Sequence, residues 1–311
     1  MAGIFKIAGV LRQVAGSQIH NISKRSLSTT YNLWAYQRKI LSEEQADQYK
    51  RDGYIVLRNL LTPDEKKDVT KIMDEIQNWP HSDDKWFTYY EQVDGKQVIS
   101  RMEKYYEYHP RMKALVEGKL GQAISDCLEE DKCVVFKDKI NFKMPGAIGY
   151  DAHQDEPSYD MFKQGLHLAA LVPADPMTPE NGCLKLVPGD WKEGEWLPLD
   201  SNGDIAEDVA RTFQWDPVEC DAGTVVLFNS LVPHKSDDNK TDKARRAFYL
   251  TFNGISRGDV REKFYKLRRE MLPSDHLRDP NKDYTEGIKL FSEETIEMGK
   301  GNISKVERGS Y

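Results

Sequence analysis

Two kinds of apolar spacing divide the chain from Ser42 onward. Up to about residue 130 the apolar positions recur at helical intervals, and after residue 132 they come in short alternating or continuous runs. Ser42-x-x-Gln45 has the form of a capping box, and the helix it opens stops at Asp52-Gly53, before the run Tyr54-Ile55-Val56-Leu57. Thr62-Pro63-Asp64-Glu65 supplies the N-cap, N1 proline and N3 glutamate of a second helix, whose stripe is Val69, Ile72, Met73 and Ile76. Residues 81–101 are polar and aromatic without a clear period, whereas 110–130 reads as helix through Met112, Leu115, Val116, Leu120, Ile124 and Leu128. Beyond them, runs at 133–143, 166–172, 183–187, 223–228 and 246–253 are broken by Pro, Gly and Asp. That order predicts a mainly β domain with flanking helices, a two-sheet sandwich or jelly roll, over residues 40–270. A polar tail, 271–311, follows, with one short helix near Phe291–Met298.

The first acidic residue is Glu43, although the 311-residue chain holds 51 Asp and Glu against 44 Lys and Arg. The stretch before it is basic and rich in Ser and Thr, with Ile4, Phe5, Ile7, Val10, Leu11 and Val14 on one helical face. Residues 1–30 therefore read as a mitochondrial transit peptide, with the matrix as destination and Arg25-Ser26-Leu27-Ser28 as a cleavage site. The alternative is an ordinary amphipathic first helix on a cytoplasmic protein. Net charge of −7 and the lack of a basic stripe argue against nucleic acid, and a small molecule is the expected partner. No window of eighteen apolar residues occurs, so no membrane span is expected. Cys127, Cys133, Cys183 and Cys220 form no C-x-x-C pair and are read as reduced and mostly buried.

Two of the seven histidines stand in H-x-D. His81-Ser82-Asp83 lies in turn composition and is assigned to a loop. His153-Gln154-Asp155 follows the 133–143 run, and in an extended segment positions i and i+2 point the same way, so imidazole and carboxylate converge. A third ligand, His234, lies 81 residues later at a strand end or loop, beyond the strand Gly223–Phe228. Two histidines and a carboxylate form the facial triad of non-haem Fe(II) oxygenases, and this set is also compatible with a zinc hydrolase. A metal-free binding or regulatory sandwich is the remaining alternative.

Basic residues around this set call for an anion. In the alternating strand at 245–252, Arg245 and Arg246 face opposite sides, and an inward guanidinium grips a carboxylate bidentately. Ser236 is placed to add a hydroxyl. Period 2 in the strand 133–143 puts Lys137, Lys139, Asn141 and Lys143 on one face, with Phe136, Ile140 and Phe142 on the other. Around a polar cavity, Asn141 with Lys139 or Lys137 would meet an anionic ligand.

Taken in order, Asp52-Gly53-Tyr54, His153-Gln154-Asp155, Asn181-Gly182-Cys183-Leu184, Val187-Pro188-Gly189, Ala222-Gly223-Thr224, Pro233-His234-x-Ser236 and Arg245 resemble the phytanoyl-CoA dioxygenase (PhyH) family over about residues 45–255. The resemblance implies a double-stranded β-helix in which His153, Asp155 and His234 bind Fe(II). It also implies that Arg245 binds the distal carboxylate of 2-oxoglutarate, helped by Ser236 and Asn141, while the strand alternation adds Lys139 or Lys137. The implied reaction consumes dioxygen, decarboxylates 2-oxoglutarate to succinate and hydroxylates a C–H, with ascorbate as supporting reductant. Asp190-Trp191 departs from the Ser-His that the family has after Pro-Gly. Tyr150, Tyr159, His167, Tyr105 and Arg101 are the candidate substrate contacts, and neither substrate identity nor oligomeric state is legible.

Overall fold

The computed structural model describes residues 36–291. The fold lies in the compact unit that begins at Lys39. The leader 1–30 lies outside the described residues, as does all of the expected 291–298 helix except Phe291.

Helices α1 (Glu43–Asp52) and α2 (Pro63–Gln77) both open on complete capping boxes. Gln45 N donates to Ser42 Oγ at 3.2 Å while the Gln45 side chain accepts from Ser42 N at 2.9 Å, so two otherwise unpaired backbone donors are satisfied. The region 110–130 is not one helix. It comprises α3 (Pro110–Leu115), a widened turn at Val116–Leu120 kinked at Gly118, and α4 (Gly121–Leu128). Short helices α5 (Glu156–Tyr159) and α6 (Glu207–Ala210) interrupt the β region, and α7 (Arg261–Met271) and α8 (Thr285–Leu290) follow it.

Eleven strands are described: β1 (Tyr54–Leu57), β2 (Phe87–Val93), β3 (Lys96–Glu103), β4 (Cys133–Lys143), β5 (Tyr150–His153), β6 (Leu168–Pro173), β7 (Leu184–Leu186), β8 (Asp216–Pro217), β9 (Val225–Asn229), β10 (His234–Ser236) and β11 (Arg245–Gly254). They form a seven-stranded sheet in the order β1-β9-β6-β11-β4-β3-β2 and a four-stranded sheet in the order β5-β10-β7-β8. Every pairing is antiparallel, and non-consecutive strands sit side by side, as a jelly roll requires.

Alternation decides what each face of the large sheet covers. Ile140, Phe142, Val225, Leu227, Phe248 and Leu250 face outward into the helical layer with Val69, Ile72 and Ile124. Ala169, Leu171, Val226, Phe228 and Ala247 face inward onto Leu184 and Leu186 of the small sheet. A third, aromatic cluster contains Phe87, Tyr89, Tyr159, Phe264 and Tyr265.

Two sequence expectations change here. Phe136 does not share the face of Ile140 and Phe142, because the register slips between Thr251↔Lys137 and Phe252↔Val135. The resulting bulge turns Phe136 into the aromatic cluster beside Tyr159 and His167. The packed fold also runs past residue 270. Leu272 and Phe291 belong to the aromatic cluster, Ser274 Oγ accepts from Thr88 N, and Asp275 Oδ2 accepts from Tyr90 N at 2.7 Å. Cys127, Cys183 and Cys220 are buried and Cys133 is half-buried. No helix among the described residues is long and apolar enough to cross a membrane.

Candidate metal centre

His153 is the last residue of β5 and His234 the first of β10, and the two are directly opposite in the antiparallel register. Their rings lie 4.1 Å apart between centroids. Asp155 reaches the same point by a turn rather than by the extended geometry expected, since β5 ends at His153 and Asp155 caps α5 with φ −69° and ψ −38°. One ligand atom from each of the three lies within 4.8 Å of the others, and among the described residues this is the one His, Cys, Asp or Glu cluster so arranged. His81, by contrast, bonds Tyr90 from a loop, as its composition suggested.

Local hydrogen bonds prepare the set for a cation. His153 Nδ1 lies 2.7 Å from the Asp151 carbonyl and His234 Nδ1 lies 2.9 Å from that of Val232. A carbonyl only accepts, so each Nδ1 carries the proton and each Nε2 keeps its lone pair for a metal. Burial, joined for His153 by its neighbour His234, lowers both imidazole pKa values and keeps the rings neutral. Burial acts to raise the Asp155 pKa, but the charge around it, that of Lys137 and Lys139 included, outweighs burial and holds the carboxyl ionised.

Behind the triad the inner face of β4 and its neighbours is basic. Lys137 and Lys143 are buried rather than solvated, and three lysines each rest over a tyrosine: Lys137 over Tyr159 at 4.4 Å, Lys139 over Tyr249 at 5.5 Å and Lys143 over Tyr150 at 5.6 Å. Lys143 Nζ donates to Ser236 Oγ at 2.8 Å. Arg245 is buried on the inner face of β11, 3.5 Å from the Tyr249 hydroxyl, while Arg246 points outward to Asp175 and Asp74. The Nε of Arg245 and the Oδ1 of Asn141 are buried without hydrogen-bond partners. Such groups are costly unless a ligand completes them, which is what a dicarboxylate would do for Arg245.

The cavity holds about 470 Å³ between its lining atoms, part of it at the open mouth, and its walls include Lys139, Asn141, Tyr150, Tyr159, Ser236 and the triad. Of the candidate substrate contacts, Tyr150 and Tyr159 line it, and Arg101 stands behind Tyr150, donating to its hydroxyl at 3.3 Å. His167 and Tyr105 do not line it. His167 is fully buried against Glu156 and Gln164. Tyr105 packs on Phe248 in the outer layer, its backbone N–H held by Asp138. Tyr249 and Thr251 line the wall and escaped the sequence reading, although both share the alternation of Arg245 and were open to the same argument.

A buried two-histidine, one-carboxylate set inside a jelly roll, with a buried guanidinium behind it, is the arrangement of a mononuclear non-haem oxygenase. Residues 49–247 match the phytanoyl-CoA dioxygenase (PhyH) family. A 2-aminoethylphosphonate dioxygenase from the uncultured bacterium HF130_AEPn_1 is 33% identical over 253 residues, covering 81% of this chain and 96% of the relative. A methylphosphonate hydroxylase from Gimesia maris is 37% identical over 233 residues, covering 74% and 87%. In fold, the chain is similar to the crystal structure of EctD from S. alaskensis with 2-oxoglutarate and 5-hydroxyectoine, with a TM-score of 0.61, 20% identity and coverage of 72% and 81%. The chain belongs to the phytanoyl-CoA dioxygenase family. It is an Fe(II)/2-oxoglutarate-dependent dioxygenase, and neither the zinc hydrolase nor the metal-free alternative finds support.

The donor set fits iron: two neutral imidazoles and one ionised carboxylate leave three positions open. When bound there, Fe(II) supplies dioxygen-dependent decarboxylation of 2-oxoglutarate to succinate, coupled to hydroxylation of a C–H. The chain's own residues do the placing. Arg245 would be the group to hold the far carboxylate of 2-oxoglutarate, with Lys143 opposite it and Ser236 bonded to Lys143, and Phe228, Leu184 and Ala169 make the adjoining wall apolar.

Proposed function

We propose that the substrate is a small organophosphonate, hydroxylated on a carbon close to its anionic group. The observation that carries this reading is charge. Lys137, Lys139, Lys143, Arg101 and Arg245 gather on the inner faces of β3, β4 and β11 around the triad. A wall with so many cationic groups favours an anionic substrate beside 2-oxoglutarate. Two of the relatives with more than 30% identity are named for phosphonates, whereas a phytanoyl-CoA dioxygenase from Arabidopsis thaliana is 21% identical.

The test supplies Fe(II), ascorbate and 2-oxoglutarate to the purified chain with 2-aminoethylphosphonate, methylphosphonate, an uncharged amine or phytanoyl-CoA, and measures succinate. A phosphonate should raise succinate above the uncoupled background in wild type and not in His153→Ala. Turnover of the thioester or the amine with none of the phosphonates would overturn the reading.

We also propose import into the mitochondrial matrix, on the acid-free, basic and amphipathic leader. A fluorescent fusion of the full chain should enter mitochondria and one lacking residues 1–30 should not. Diffuse cytoplasmic signal from both would refute it.

A further inference from the structure

Asp155 is flanked by two side chains that the reaction does not use, and both are enclosed: Gln154 is 0% and Glu156 4% exposed. Both reach one segment, the Ser230–Pro233 turn that delivers His234, and Gln154 also bonds the Glu195 carbonyl at 3.3 Å and Leu197 N at 2.8 Å. Gln154 Nε2 donates to the Leu231 carbonyl at 2.7 Å. Glu156 N donates to the Ser230 carbonyl at 3.0 Å, and the Glu156 carboxylate accepts the Ser230 hydroxyl. The same carboxylate accepts from His167 N at 3.2 Å and lies 3.0 Å from His167 Nδ1. Ser230 N closes the knot by donating to the His167 carbonyl at 2.9 Å. A glutamate in the first turn of a surface helix would face water, so its burial here needs every one of these donors.

We infer that Glu156, seconded by Gln154, is a positioning residue that fixes the separation of Asp155 from His234 and thereby sets metal affinity without touching metal or substrate. His153 and His234 are already spaced by the β5–β10 ladder. Asp155 lies beyond the end of β5, and these side-chain bonds take over where the ladder stops. The inference rests on the reading of the triad as the metal site, and the experiment separates the two.

Wild type, Glu156→Gln and Ser230→Ala are prepared as full chains and titrated anaerobically with Fe(II) and with Co(II), whose visible spectrum reports ligand geometry. Asp126→Asn is the control. Asp126 is a buried carboxylate that holds the backbone N–H groups of Lys39, Ile40 and Leu41 away from the site. Glu156→Gln keeps the side-chain shape but turns an amide NH₂ toward existing donors. It should weaken Fe(II) and Co(II) binding by about 10- to 100-fold and change the Co(II) spectrum, with Ser230→Ala in between. Asp126→Asn should lower the melting temperature and leave spectrum and affinity unchanged. If Glu156→Gln does not fold, the spectrum of Ser230→Ala decides. A wild-type Co(II) spectrum and affinity in the folded variant would overturn the inference alone. Failure of wild type itself to bind Co(II) would overturn the metal-site reading along with it.

Discussion

Arg245 shows how much one buried group settles. Its guanidinium has no carboxylate partner among the described residues, and its Nε has no hydrogen bond at all, so a carboxylate of the co-substrate would complete it. Removing one member of a buried, hydrogen-bonded charge pair costs about 2 kcal/mol or more, which is about 30-fold in binding. Arg245→Ala should therefore raise the KM for 2-oxoglutarate by at least that factor, while Fe(II) affinity measured without co-substrate stays near wild type. A second residue makes a prediction about pH. Burial, reinforced by Asp200, pushes the Asp204 pKa up to about 6, and its Oδ1 is unpaired. Because the folded state then holds a proton that the unfolded state has released, stability falls as pH rises from about 4 to about 6 and stays reduced above that. Asp204→Asn should match wild type in stability near pH 4 and exceed it at pH 8, seen as a higher melting temperature at the higher pH alone. Equal melting curves at both pH values would refute the assignment.

At the level of elements, the legible parts were those that declare themselves over short range. The capping boxes at Ser42 and Thr62 and the β4 boundaries at Cys133 and Lys143 stand where the residues put them. The β2–β3 hairpin went unseen because β2 buries Phe87, Thr88 and Tyr89 in succession and a register shift follows at Tyr90, which erases the alternation. Its one local signal was Asp94-Gly95, both with positive φ (50° and 76°), the turn that suits a tight hairpin. The Phe136 bulge is a tertiary event with no sequence mark of its own. Asn181-Gly182 does have one. Gly182 sits at φ 73°, and a Cβ there would lie 2.1 Å from the Asp237 carbonyl, which accepts from Lys143 Nζ at 2.6 Å. Gly182→Ala must displace the end of β10 and its lysine. It should cost more than the roughly 1 kcal/mol of an ordinary loop substitution, seen as a lower denaturant midpoint, together with a higher KM for 2-oxoglutarate.

For the whole molecule, the triad was readable because its three ligands come from two motifs, H-x-D and P-H-x-S, whose residues are chemically unmistakable. The substrate wall was not readable in the same way. Tyr105, Tyr150, Tyr159 and Tyr249 look alike in sequence, and only the sheet face on which each lands separates core from cavity. The same basic interior makes stability depend on occupancy. Fe(II) or Mn(II) together with 2-oxoglutarate, each at about 100 times its dissociation constant, should add about 2.7 kcal/mol per ligand, read as a rise of several degrees in melting temperature that chelator removes. Asp155→Ala should abolish the metal-dependent part of that rise.

His153 and His234 face each other as one rung of the β5–β10 ladder. The gap between the two nitrogen anchors is therefore a property of pleated backbone, indifferent to how long the neighbouring loops are.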